Sequence, residues 1–131
     1  MIHKVFLANL LIVFVFLSCK DNFDRKLQRE TAEFTRNNCP NAVEDGTYLD
    51  SVSYIPQTHT YNLYYSLNEG NEAIYKQNTH LLHYFLVKNL KNSTEYKELK
   101  DQRINFQYVY SSQTTKVLIY KTTITSNEYS R

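Results

Sequence analysis

Three rhythms of apolar and polar residues divide this chain. From Val5 to Leu17 the residues are apolar, with Asn9 the one polar interruption, behind a cationic lead at Lys4. Over residues 22–37 the spacing is helical: Phe23, Leu27 and Phe34 fall near one face with Glu30 or Thr31, and Arg25, Lys26, Arg29 and Glu33 fall elsewhere. Asn22 or Asp24 can cap this helix, and Cys39-Pro40 stops it, because proline disfavours helix at the residue before it. Alternation then takes over in two runs, 47–55 and 60–67. In the second, Tyr61, Leu63, Tyr65 and Leu67 oppose Thr60, Asn62, Tyr64 and Ser66. Gly46 precedes the first run and Pro56 to His59 link the two, which predicts an antiparallel hairpin. From Glu72 to Leu90 the period is helical again, through Ile74, Leu81, Leu82, Phe85, Leu86 and Leu90. A two-turn helix is expected from Glu95 to Asp101. Alternation returns at 103–110, with Ile104, Phe106, Tyr108 and Tyr110 inward, and at 116–125, with Leu118, Tyr120, Thr122 and Ile124 on one face. Val117 and Ile119 oppose that last set, so its start is expected to be covered on both faces. The sum is an α+β domain of order α-β-β-α-β-β, an antiparallel sheet of about four strands with helices packed on one face.

The first apolar run has signal-peptide length. It is short of the roughly 20 apolar residues that span a bilayer. It ends Phe16-Leu17-Ser18-Cys19, which resembles a bacterial lipobox. The resemblance implies a signal peptide over 1–18, cleavage before Cys19, a diacylglycerol on the Cys19 sulfur and a further acyl chain, such as palmitate, on the new amine. Each buried lipid CH₂ contributes about 0.8 kcal/mol, so two or more chains anchor stably. An ordinary secretory signal that happens to contain a cysteine, or an uncleaved anchor, is the competing reading. Lys20-Asp21-Asn22-Phe23-Asp24 resembles the charged segment behind the lipidated cysteine of Bacteroidota lipoproteins. Residues 19–24 are therefore read as a tether, 25–131 as one domain, and the protein as held at the outer membrane, facing the periplasm or the surface.

Net charge is +2, with no basic block, and charges of both signs are interspersed, so no nucleic-acid surface is expected. There are two cysteines. With Cys19 lipidated, Cys39 is alone and reads as an inert, buried thiol; a Cys19–Cys39 disulfide is the alternative if Cys19 carries no lipid.

Candidate chemistry is sparse. His80 and His83 share a helical face, and a metal-dependent hydrolase is the alternative function they suggest. A metal there needs further ligands, for which His59, Asp50 and Glu44 are candidates by residue type only. No phosphate-binding glycine loop, nucleophile elbow or paired-cysteine motif occurs, and no cofactor is expected. Tyrosine is in excess, with twelve and no tryptophan. Cross-strand packing accounts for most of them. Tyr64 points away from the Tyr61 and Tyr65 set and, with Asp50 and Ser51, marks a candidate binding surface.

Cys39-Pro40, Val43 and Gly46-Thr47-Tyr48-Leu49-Asp50-Ser51-Val52, together with the closing strands, resemble a group of small uncharacterised exported bacterial lipoproteins with a Cys-Pro…Thr-x-Leu-Asp-Ser-Val motif. The resemblance implies export and the fold, and it carries no functional residue with it. The expected function is a non-catalytic, lipid-anchored envelope module that binds another envelope protein or polymer, or serves as an accessory part of a larger assembly.

Overall fold

The computed structural model describes residues 2–131, with side chains from Lys20 onward. Helix α1 (Ile2–Asn38) leads into strand β1 (Asn41–Glu44), β2 (Thr47–Ile55), a 3₁₀ turn (Pro56–Thr58) and β3 (Thr60–Leu67). Helices α2 (Glu69–Gln77), α3 (Thr79–Asn92) and α4 (Lys97–Asp101) follow, then β4 (Asn105–Ser112), β5 (Leu118–Ile124) and α5 (Ser126–Tyr129). Residues 1–18 and Cys19, read above as signal peptide and lipid site, lie outside the residues whose side chains are described. From Lys20 to Asp24, the stretch read as a tether, the chain is already helical. Among the described residues no helix is long and apolar enough to cross a membrane.

The five strands form one sheet in chain order, β1 to β5. Two expectations are corrected here. There is a fifth strand, β1, whose four exposed residues carry no alternation. And β3 pairs with β4 in parallel, Tyr61 beside Phe106 and Tyr65 beside Tyr110, so the sheet is mixed. The physical reason is the connection. Three helices carry the chain from the end of β3 back to its beginning, and such a crossover delivers the next strand parallel. The single helix expected over 72–90 is broken at Asn78, whose Nδ2 donates to the Ile74 carbonyl at 2.7 Å. Helix α5 was not anticipated.

Alternation assigns the two faces as expected. Leu63, Leu67, Phe106, Tyr108, Tyr110 and Ile124 are buried under the helices with Leu27 of α1 and Leu90 of α3. A bulge in β2 between Leu49 and Ser51 skips Asp50, so Leu49 and Val52, three apart, both face this core. Helix α1 presents Leu27, Thr31 and Thr35 to the sheet, and Phe34 turns outward. Buried Thr31 returns its hydroxyl to the Leu27 carbonyl at 3.0 Å. Thr35 both donates to the Val52 carbonyl and accepts from the Val52 amide, each at 3.0 Å. Val117 and Leu118, expected to be covered, are exposed instead, because β5 starts only at Leu118 and lies at the sheet edge.

The tyrosine excess is largely core. Tyr65 stacks on Tyr110 with ring centroids 4.8 Å apart, Tyr75 meets Tyr110 at 4.9 Å, and Tyr61, Tyr96, Phe106 and Tyr129 form a second ring cluster. Offset and edge contacts of this kind add to plain area burial.

The β1–β2 turn depends on Gly46, at φ +81°, where an added Cβ would stand 2.2 Å from the Asn68 side chain. A left-handed conformation costs an ordinary residue about 1–2 kcal/mol. Gly46→Ala is therefore expected to lower stability by at least that amount, read as a shift of the urea midpoint with unchanged slope.

Candidate binding groove

Between α1 and α4 the helical layer leaves the β1–β3 end of the sheet partly open. The result is a groove of about 390 Å³. Its floor is apolar: Leu27, Leu49, Val52, Tyr61, Tyr96 and Leu99. Phe34 and Val43 stand on its walls at 40 % and 48 % exposure. The rim carries three carboxylates, Glu30, Glu95 and Glu98, and no described lysine or arginine lines it. Lys26 pairs with Glu30 at 3.7 Å across exposed side chains. Burial, followed by the nearby Glu95 charge, pushes the Tyr61 phenol up to about 12. Burial likewise raises Tyr96, with the Tyr65 and Glu95 charges adding to it. Both phenols are therefore neutral hydrogen-bonding groups set in an apolar wall. The groove can hold an apolar segment and favours cations beside it; it presents no nucleophile with an adjacent base.

The residues singled out by sequence fall elsewhere. Asp50, Ser51 and Tyr64 do come together on the open face of the sheet, where Ser51 opposes Tyr64 across β2 and β3. The Asp50 carboxylate accepts from Ser66 Oγ at 3.1 Å, so it is partnered within the sheet. His83 is held at both ring nitrogens, Nδ1 by Thr122 Oγ1 and Nε2 by Glu128 Oε1, each at 2.6 Å. His80 lines the same shallow surface with Lys91 and Arg131. Among the described residues, no three His, Cys, Asp or Glu side chains gather as a metal site would require.

Glu128 also closes a capping box on Thr125, whose amide donates to Oε2 at 2.8 Å. Burial pushes this carboxyl up, but the Thr125 amide and His83 outweigh it and hold the carboxyl below its usual range. A depressed carboxyl contributes stability above its unfolded value, and that contribution is lost as pH falls through the folded value. Removing such a cap costs about 0.5–2 kcal/mol. Glu128→Ala is expected to show that loss in urea unfolding at neutral pH, and the difference from wild type should shrink toward zero in acid.

A second network ties Asp24 of α1 to the sheet. Tyr54 Oη donates to Asp24 at 2.9 Å and lies 2.8 Å from His59 Nδ1, and His59 Nε2 meets the Gln102 carbonyl at 2.9 Å. The His59 ring thus bridges the Tyr54 hydroxyl and the Gln102 carbonyl. Cys39 is half-buried, its thiol raised by burial and then by Asp50, which disfavours the reactive thiolate. The helix runs unbroken from Lys20 to Asn38 at about 1.5 Å per residue.

Only the α1 wall of the groove is legible in the sequence. Leu27, Glu30, Thr31 and Phe34 share a helical face, but no spacing joins them to Val43, Tyr61, Glu95 or Leu99.

The family described as Domain of unknown function (DUF8479) matches residues 22–120. No curated protein matches the chain in sequence. Three solved structures share the fold. A protein of Pseudomonas aeruginosa described as secreted has a TM-score of 0.70 at 11 % identity, over 84 % of this chain and 95 % of its own. The pilotin EpsS of the Vibrio vulnificus type 2 secretion system has 0.64 at 10 % identity, over 84 % and 94 %. The type II secretion system pilotin AspS of Vibrio cholerae has 0.62 at 12 % identity, over 86 % and 97 %.

Proposed function

The chain belongs to the family described as Domain of unknown function (DUF8479), and we propose that it is a non-catalytic accessory protein of the cell envelope. In this reading it is anchored by lipid at Cys19 after removal of residues 1–18. It holds a segment of another envelope protein in the groove between α1 and α4. The observation that carries the reading is the groove itself, with an apolar floor wide enough for side chains and a rim of carboxylates but no catalytic pair. The shared fold with two secretion-system pilotins and a secreted protein supports an envelope setting. The segment that fits is apolar with basic flanks, because Glu30, Glu95 and Glu98 repel an acidic one. The anchor places the domain at the outer membrane, and Lys20-Asp21 behind Cys19 is the feature that favours surface display.

Two measurements test this. The intact mass of membrane-fraction protein should show a chain starting at Cys19 with added acyl mass, lost in Cys19→Ala. In-cell crosslinking followed by purification should capture a partner with wild type and lose it with Phe34→Asp and Val43→Asp, whose exposed sites tolerate the change. A partner retained by both variants would remove the groove from the mechanism.

A further inference from the structure

Helix α3 is apolar on two sides. Leu82, Leu86 and Leu90 turn inward, and Leu81, Tyr84 and Phe85 turn to solvent at 39 %, 63 % and 49 % exposure. By helical spacing Lys88 continues that outward face. A soluble helix with a single buried stripe would be polar here. Helices α2 and α3 both pack against β5, so Ile74 of α2 and Val117 and Leu118 at the head of β5 extend exposed apolar surface along the same side. Nothing among the described residues covers it.

Charge identifies the occupant. Although charges of both signs occur along the chain, they are not evenly spread. Residues 73–94 and 102–127, which include α3, β4 and β5, contain no aspartate or glutamate. They contribute Lys76, Lys88, Lys91, Arg103, Lys116 and Lys121. Of the carboxylates bordering this side, Glu72 pairs with Lys76 at 2.8 Å and Glu128 with His83, while Glu69 lies farther along, by the β4–β5 turn. Exposed aromatic and aliphatic side chains with Lys88, Lys91 and Lys116 near them, none of the three in an ion pair among the described residues, match an anionic lipid interface, where the rings enter the headgroup boundary and the ammonium groups meet phosphate. The placement is consistent with an anchor. Lys20, where the described side chains of α1 begin, lies beside Gln102, and the neighbouring Lys100 amine holds the last carbonyls of α3 at Leu90 and Ser93.

We propose that the outward face of α3, with the head of β5, rests on an anionic phospholipid surface. This goes beyond the groove reading and is independent of it, because it uses the other edge of the sheet.

The chain has no tryptophan, so one introduced indole reports alone. Full chains carrying Phe85→Trp or Tyr84→Trp, and a control Tyr64→Trp on the open sheet face, are reconstituted into vesicles of phosphatidylglycerol and phosphatidylcholine with brominated acyl chains. The expected result is loss of most of the indole emission from the Phe85→Trp and Tyr84→Trp chains, with the Tyr64→Trp control little affected. Emission should recover in high salt or on pure phosphatidylcholine. The depth of the indole in the Phe85→Trp chain is read whatever the state of Cys19 or the groove. Unquenched emission at both α3 positions would overturn the proposal. So would equal quenching on neutral lipid, or emission that is shielded only when envelope protein is added, which would assign the face to a protein partner.

Discussion

Raising the pH past about 10 is expected to unfold this domain in one steep transition. The cause is the tyrosine core. Burial pushes Tyr65, Tyr96, Tyr108 and Tyr110 well above the ordinary phenol value, and the charges of neighbouring groups push them further. In the unfolded chain the same phenols ionise near pH 10. Above that value the unfolded state has lost protons that the folded state keeps, so stability falls as pH rises. Each such phenol contributes up to about 1.4 kcal/mol per pH unit, and four together roughly 5 kcal/mol per unit. Against a typical total of about 5–15 kcal/mol, the fold should be exhausted within about one to three units. Tyrosinate absorbance and loss of far-ultraviolet dichroism should rise together, and Tyr110→Phe with Tyr108→Phe should flatten the slope. Gradual ionisation with the dichroism intact would show that the stack of rings is open to water.

Thr35→Val is expected to be the most damaging small change on the helix. The hydroxyl serves both backbone groups of Val52, which point outward beyond the reach of β1, since β1 pairs only with residues 47–49. Valine keeps the shape and removes both partners. An unsatisfied part-buried group costs about 1–3 kcal/mol, so the pair should cost about 2–6 kcal/mol. Thr35→Ser, which keeps the hydroxyl, should cost far less. Urea unfolding gives the magnitude, and hydrogen exchange at the Val52 amide locates it. A loss under about 0.5 kcal/mol would mean that water replaces the hydroxyl at no penalty.

What the sequence makes legible follows from its periods. Alternation at Tyr61 to Leu67 and at Ile104 to Tyr110 marks the strands and their inward faces, because a two-residue repeat has only one way to bury its rings. It also places Tyr64 on the open face; Asp50 and Ser51, adjacent in the chain, share that face only because of the bulge. Direction is not encoded in that repeat: β3 and β4 alternate alike whether parallel or antiparallel, and the return path of α2 to α4 decides. Strand β1 is too short and too exposed to alternate. The bulge at Asp50 depends on pairing with β3. Helix α5 did leave a trace, Thr125-Ser-Asn-Glu128, in the spacing of a capping box. The groove left only its α1 wall, since Glu30 and Glu95 come to line one groove only once α1 and the chain before α4 are laid over the same strands. The carboxylate-free stretches were visible from the start, but they acquire a meaning only when α3 and β5 are seen to share one side.

The strand order has a consequence for how the molecule can be used. Neighbouring strands lie about 4.8 Å apart. From β2, which floors the groove, to β5, which borders the α3 face, the sheet therefore works as a spacer of roughly 14 Å. A bilayer against one edge and a peptide in the groove at the other would not compete. With the proposed lipid contact on α3, the groove would be turned away from the bilayer, and a bound segment would sit at a set height above it.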